Sequence, residues 1–368
     1  MSDSERNYDL RAERQSQIDA PQLAYEPPQP QQTHRIGLIG CGGISESHLK
    51  AYQHAGFQVV AFADLDRDRA VGRRDTFYPQ GEIYGDYRDL LQSADVDVVD
   101  VATPPEPRAE IIENALQSGR HVLSQKPFVL DLETGLHLTS MALEHKCVLA
   151  VNQNGRWAPH LSYMREAVST GLIGEVVGVN ITIHWDHNWI VGTPFDRMHH
   201  VVLQDFAIHW FDFVTSIVPG VARKIFASIL RSPSQSAQPP LMASVLMEYP
   251  IARVNLSFDA DTAYGPEDRT IVRGTKGTLY SVGPNLTEQT VTGHTQAGWF
   301  RSALEGTWFL EGFQGTMAEL LCAIEDQRTP QNDARDNLRG LAMCFAAARS
   351  ADLGQTVEVT PVSRDEVE

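Results

Sequence analysis

Long apolar runs are missing from this 368-residue chain, and none approaches the roughly 20 residues that a membrane-spanning helix needs. No membrane partner is therefore expected. Cysteine is scarce, with four residues at 41, 147, 322 and 344 and no C-x-x-C pair. Such scatter argues against a disulfide framework and for reduced thiols in a cytoplasmic protein. Basic residues are the minority, 30 Lys+Arg against 47 Asp+Glu, for a net charge of −17. A chain this acidic repels phosphate backbones, so no nucleic-acid partner is expected. The first 33 residues lack the apolar segment of a secretory signal and are rich in Gln, Pro and charge. They read as a flexible arm that cannot bury enough surface to offset its ordering entropy. The rival reading is an arm that wraps a neighbouring subunit, anchored by Tyr25.

What is present is globular: 42% apolar and 21% charged residues. The length exceeds one core of about 100–200 residues, so two domains are expected. In the first half, short apolar runs alternate with amphipathic stretches. Arg35–Gly40, Gln58–Asp64, Val96–Ala102, His121–Ser124 and Cys147–Val151 read as strands, and Ser45–Ala55, Glu106–Gln117 and Leu132–His145 as helices. Runs this continuous suit strands buried on both faces, hence an α/β unit over 34–155 with a parallel sheet covered by helices. Beyond about Ala158 the pattern changes. Glu175–Trp185, Leu241–Tyr249, Ala252–Phe258, Thr270–Gly274 and Gly277–Val282 read as strands with hairpin-like joins. An α+β unit over 156–368 with a large, mostly antiparallel open sheet follows, and a C-terminal helix could pack back on the first unit.

Gly40-Cys41-Gly42-Gly43-Ile44-Ser45 falls between the first strand and the first helix. Glycine permits the tight turn there and lets backbone approach a pyrophosphate at the positive helix N-terminus. Asp64 follows at the end of the second strand, where a carboxylate can accept from a ribose 2′-hydroxyl. Gly40, Gly42, Gly43, Ile44 and Asp64 are thus candidate cofactor contacts, and NAD is favoured. Arg67 could instead meet a 2′-phosphate, which keeps NADP open. The third glycine of the usual pattern is Ser45, and the bland alternative is a tight turn with no ligand.

Further along stand Val101-Ala102-Thr103-Pro104-Pro105, Gly119-Arg120-His121-Val122-Leu123-Ser124-Gln125-Lys126-Pro127 and Val151–Pro159. With the glycine turn, this ordered series resembles the Gfo/Idh/MocA oxidoreductase family. The resemblance implies a Rossmann domain and a nicotinamide-dependent oxidoreductase acting on a sugar, sugar derivative or cyclitol. It also implies cofactor contacts at Thr103, Pro104, Gln125, Lys126, Asn154 and Arg156, and a homodimer or homotetramer joined through the open sheet. Three departures stand out: Gln125 replaces the usual Glu, Arg108 the frequent His, and Ala207 a Gly.

Lys126 precedes a proline, which pushes its backbone into an extended form at a strand end beside the ligand crevice. Val201–Val214 is apolar nearly all round, except for Asp205, His209 and Asp212 on one helical stripe. On that spacing Asp205 orients His209 through a hydrogen bond, while Asp212 reads as a structural acid. Alcohol oxidation needs a proton acceptor beside the hydride acceptor. His209 suits the base and Lys126 the cation that steadies the developing alkoxide, or a neutral Lys126 could be the base. Between them runs HWDHNWIVGTPFDRMHH, residues 184–200, where His184, Asn188 and Trp189 join Asp205 and His209 as candidate substrate contacts. Its four histidines raise a metal reading, but no ligand spacing supports it and no metal is expected. Two other functions remain open: a glycoside hydrolase that regenerates its own bound cofactor, and a non-catalytic dinucleotide sensor.

Overall fold

Short Val- and Ile-rich runs closed by turns build the first sheet of the computed structural model, which describes residues 15–362. The elements run β1 (Arg35–Ile39), α1 (Ser45–Ala55), β2 (Gln58–Ala63), α2 (Arg67–Phe77), β3 (Glu82–Tyr84), α3 (Tyr87–Ser93), β4 (Val98–Val101), α4 (Pro105–Gln117), β5 (His121–Gln125), α5 (Leu132–Glu144) and β6 (Leu149–Asn152). All six strands are parallel, in the order β3-β2-β1-β4-β5-β6. The order reverses between β1 and β4, so their C-terminal ends flank the crevice where open α/β sheets bind ligands. Local chemistry sets the helix ends. Asp66, Asp86 and Asp131 cap α2, α3 and α5 by accepting from backbone N–H groups. Gly56 closes α1 in the left-handed region.

The second half adds α6 (Pro159–Ser169), β7 (Val176–His184), α7 (Ile208–Ile217), β8 (Lys224–Leu230), β9 (Met242–Glu248), β10 (Arg253–Asp259), β11 (Glu267–Gly274), β12 (Gly277–Gly283), β13 (Thr290–Thr295) and β14 (Gly298–Ser302). Helices α8 (Trp308–Asp326) and α9 (Ala334–Leu353) and the short β15 (Val357–Glu358) complete it. These strands form one sheet, β14-β13-β12-β11-β7-β10-β9-β8-β15, antiparallel except for the β7–β10 pair. Besides the short β3 and β15, three strands escape the sequence reading. β13 is Thr- and Gly-rich, β14 is short, and β8 carries apolar Phe226 and Leu230 on its exposed side, which masks the alternation. One face of the sheet lies under α6, α7 and α9. Helix α8 returns to the first sheet, where Phe313, Met317, Leu320 and Leu321 share a core with Leu38, Leu49, Tyr52 and Phe62.

The flexible-arm expectation is corrected over residues 15–33, while residues 1–14 lie outside the described residues. The arm is fixed to its own chain by backbone pairing. Ile18 N–H donates to Trp299 O at 2.9 Å, and Trp299 N–H to Ser16 O at 3.0 Å. Gln31 and Gln32 N–H both reach the Glu325 carboxylate, at 2.8 and 2.9 Å. Tyr25 does serve as an anchor, but within the same chain: its ring packs edge-on against Tyr163, and its hydroxyl accepts from Glu305 N–H. Ordering comes from hydrogen bonds to the body, which composition does not reveal.

Candidate active site

Gly40 ends β1 at φ +96°, and a Cβ there would sit 2.9 Å from the Ala102 and Thr103 backbone. Its absence lets the ends of β1 and β4 meet. Gly42 and Gly43 face open space instead, with no atom within 4 Å of a notional Cβ. Ser45 is fully buried and its hydroxyl donates to Gly42 O at 2.7 Å, so the departure from the third glycine tightens the turn. No side chain caps α1, which leaves its first N–H groups to the loop. Asp64 holds the loop edge: its carboxylate accepts from Cys41 N–H at 2.7 Å and Asp66 N–H at 2.8 Å. Exposed Ile44 and Arg67 flank this loop, and Arg73 reaches Gly42 O at 3.2 Å. Across the crevice, Thr103 Oγ1 is buried without a partner, and Pro104 leads into α4. An open glycine cradle, a helix N-terminus without a side-chain cap and an orphaned hydroxyl fit the phosphates and ribose of a dinucleotide.

Lys126 follows β5 directly. Its ammonium donates to Asp205 Oδ1 at 2.7 Å and to Asp205 O at 2.8 Å. Buried Arg108 donates to Thr103 O and Pro127 O, tying the two crevice loops together. Burial pulls its guanidinium down to about 10. The expected Asp205–His209 hydrogen bond is absent, which is a correction with a geometric cause. Residues Val202–Phe206 form a π-turn, with Ala207 N–H bonded to Val202 O at 2.7 Å. The wider turn breaks the four-residue stacking and delivers Asp205 to Lys126 instead. His209 then stands on α7 with Nδ1 buried and unpartnered, edge-on to Trp308. Burial first, then the Lys126 charge, holds its pKa well below the ordinary histidine value, so the ring is neutral near pH 7.

A fourth group was not among the candidate site residues. His187 is only 5% exposed, and its Nε2 has no partner. The Trp189 indole, which can only donate, bonds His187 Nδ1 at 3.2 Å. The neutral ring therefore carries its proton on Nε2, a buried donor with nothing to bond. Burial lowers its pKa, and the charges of Asp205 and Lys126 both act on it. The sequence held a signal: the alternation Ile181, Ile183 continues inward through Trp185 and His187, while His184 falls on the other face. Backbone bonds from Trp185 and His187 N–H to Asp259 O and Ala260 O prolong the strand geometry.

Three expected contacts are corrected. Asn188 spends its amide on the loop frame, donating to Asp186 and Asp261 and accepting from Ser236 and Ala237 N–H. Arg156 is 4% exposed and forks onto Asp212 at 2.6 and 2.9 Å, with Asp336 at 3.3 Å. Burial alone would weaken this cation, but the two carboxylates hold its pKa above the ordinary value. It is a clamp between α7, α9 and the turn Asn154–Trp157, with its guanidinium spent on those partners. Gln125 turns its side chain inward, away from the crevice, toward His48. Of the rest, Asn154 is buried with Oδ1 unpartnered, and Trp189 is 59% exposed at the mouth of the loop. The four histidines of residues 184–200 do not gather: His199 and His200 meet Asp352 at the surface, apart from His184 and His187.

Two family models match this chain. Residues 34–153 match the oxidoreductase family with an NAD-binding Rossmann fold, and residues 161–280 match the GFO/IDH/MocA C-terminal domain. The chain belongs to the Gfo/Idh/MocA oxidoreductase family. The D-apiose dehydrogenase of Paraburkholderia graminis is 25% identical to it over 94% of each chain. The inositol 2-dehydrogenase of Rhizobium meliloti is 27% identical over 86% of this chain and 97% of its own. An Agrobacterium radiobacter oxidoreductase, solved with NAD+, L-tartaric acid and magnesium, superposes with a TM-score of 0.80 at 21% identity, covering 89% of this chain and 98% of its own. In this Gfo/Idh/MocA member the departures at Arg108 and Gln125 are both buried and both brace the loop that carries Lys126. Among the described residues no helix is long and apolar enough to cross a membrane.

Proposed function

We propose that this protein oxidises a secondary alcohol of a sugar, sugar derivative or cyclitol with NAD. The observation that carries the reading is the convergence of the Lys126–Asp205 pair and neutral His209 in the crevice beside the glycine cradle. A bound nicotinamide supplies the hydride acceptor, and the proton must go to the protein. His209 takes the hydroxyl proton on the nitrogen opposite its buried Nδ1. Lys126, held by Asp205, donates to the substrate oxygen and stabilises its developing negative charge. Return of the proton from His209 to solvent resets the site. His187 offers Nε2–H to a second substrate oxygen, and exposed Trp189 offers an apolar face at the rim. The names of the two relatives support a polyol substrate. NAD is favoured over NADP because the Asp64 carboxylate, held at the end of β2 beside the glycine loop, would repel a 2′-phosphate bound there.

The second sheet supports a homodimer or homotetramer. Its uncovered face carries one cross-strand row of Phe226, Leu246, Asn255, Asn180, Ile271 and Tyr280, apolar at both ends and amide in the middle. Light scattering on the purified chain reads that directly, and a monomer would refute it.

The functional test follows NADH formation with myo-inositol, scyllo-inositol, D-apiose and D-glucose. Lys126→Met and His209→Ala should each lose about 10²-fold or more in turnover while NAD still binds. Full activity in both variants would overturn the assignment, and the absence of any turnover with bound NAD would favour a sensor.

A further inference from the structure

We propose that Gln125 is a positioning residue for Lys126, acting as the last link of a buried relay that runs Asp100–His48–Gln125. The relay's polarity follows from its end groups. Asp100 Oδ2 lies 2.7 Å from His48 Nδ1 and also accepts from the Tyr52 hydroxyl at 2.7 Å. Asp100 and His48 are wholly buried. A carboxylate accepts, so His48 Nδ1 carries the proton. At the other end, Lys126 N–H donates to Gln125 Oε1 at 2.6 Å, which fixes the amide's orientation. Gln125 Nε2 therefore faces His48 Nε2 at 3.1 Å as donor, and Asn152 Nδ2 approaches the same lone pair at 3.2 Å. Every contact is donor to acceptor with His48 in a single neutral tautomer. Phe313 of α8 covers the imidazole, with ring centroids 4.6 Å apart.

The consequence falls on Lys126. Its backbone N–H is pinned from below by Gln125, and its ammonium is pinned above by Asp205. The intervening side chain is thus held at both ends across the crevice. The glutamate usual at position 125 would present an oxygen to His48 Nε2 and would need a second proton on the ring. Glutamine supplies the same acceptor to Lys126 without that proton. The groups facing His48 are Tyr52 from α1, Asp100 from β4, Gln125 from β5, Asn152 from β6 and Phe313 from α8. Those acting at the other end of Lys126 are Asp205, His209 and His187.

This inference rests on the reading of Lys126 as a catalytic residue, and its test separates the two. The NAD-saturated protein is reductively methylated with formaldehyde and cyanoborohydride. Mass spectrometry then gives the labelling rate of Lys126 relative to exposed Lys50 in the same sample. Gln125→Met, of similar length but without hydrogen bonds, should raise that ratio at least threefold. Gln125→Glu, which keeps an acceptor for Lys126 N–H, should return it to within twofold of the parent. On any polyol that turns over, Gln125→Met should lower kcat about tenfold or more with KM and NAD affinity changed less than twofold, and Gln125→Glu should recover most of the loss. If Gln125→Met does not fold, Gln125→Asn keeps the amide but cannot span both partners, and the same rise is expected. An unchanged labelling ratio in the folded variant, or no recovery in Gln125→Glu, overturns the proposal. If the ratio responds as expected while Lys126→Met stays fully active, the positioning stands and the catalytic reading of Lys126 falls.

Discussion

Arg156 offers the sharpest contrast between a cofactor contact and a clamp. Its guanidinium and the Asp212 carboxylate have side chains only 4% and 3% exposed, joined by two hydrogen bonds in a fork. Arg156→Leu would leave the Asp212 carboxylate buried with, among the described residues, the Asn337 amide at 3.3 Å as its one remaining hydrogen-bond partner. Removing one partner of a buried pair costs about 3–5 kcal/mol, because the orphaned charge keeps its desolvation penalty. That is a large share of a total folding stability of about 5–15 kcal/mol. The double variant Arg156→Leu/Asp212→Leu removes both charges and should recover most of the loss, giving a coupling energy of about 2–3 kcal/mol in the cycle. Urea unfolding followed by circular dichroism measures the stabilities, and calorimetric titration measures NAD binding well below the unfolding transition. A clamp leaves NAD affinity within twofold in every folded variant. The reasoning is refuted if Arg156→Leu costs under about 1 kcal/mol while NAD affinity falls tenfold or more, which is the pattern of a cofactor contact.

Gly42→Val places bulk in the open cradle without straining the backbone, so NAD affinity should fall at least tenfold, with the melting temperature unmoved; unchanged affinity would mean that the cradle holds nothing. His187→Phe keeps the aromatic stack on Trp185 and Phe206 but removes the orphaned donor. It should raise the substrate KM about tenfold with NAD affinity unchanged, whereas equal effects on both would point to a packing role. Asp268, on β11 beside Ile183, is 2% exposed with neither carboxylate oxygen bonded, and burial raises its pKa to about 7. The folded state then holds a proton that the unfolded chain releases near 3.8, so this contribution to stability is lost as pH rises through about 7. Asp268→Asn removes that loss. Its advantage over the parent should widen from pH 4 to pH 8 by up to about 4 kcal/mol, since each unit is about 1.4 kcal/mol, and a flat difference across that range would refute the shift.

Five strands of the first sheet were readable because they are largely buried and declare themselves as continuous apolar runs, each closed by a turn, whereas the short, partly exposed β3 was not. Lys126 was readable for a related reason: a residue before proline at the end of such a strand has one place to go. What the sequence concealed is the partnership of side chains across elements. Asp205 and His209 are four residues apart, and on a regular helix that spacing pairs them. One π-turn, set by the packing of Val202, Leu203 and Phe206 into the core, redirects Asp205 to a lysine 79 residues earlier. Arg156 and Asn188 were misread for the same physical reason. A polar side chain in a motif can face the ligand or fasten the frame, and only the partner it finds decides which. His187 marks the converse case. Its position was legible from the period-two alternation, yet its chemistry became visible only when Trp189 fixed its tautomer and burial left Nε2–H with nothing to bond. Unspent hydrogen-bonding capacity in a closed space is costly to a fold. His187, His209 and Thr103 all retain it, and the proposed cofactor and substrate would give each of the three a partner.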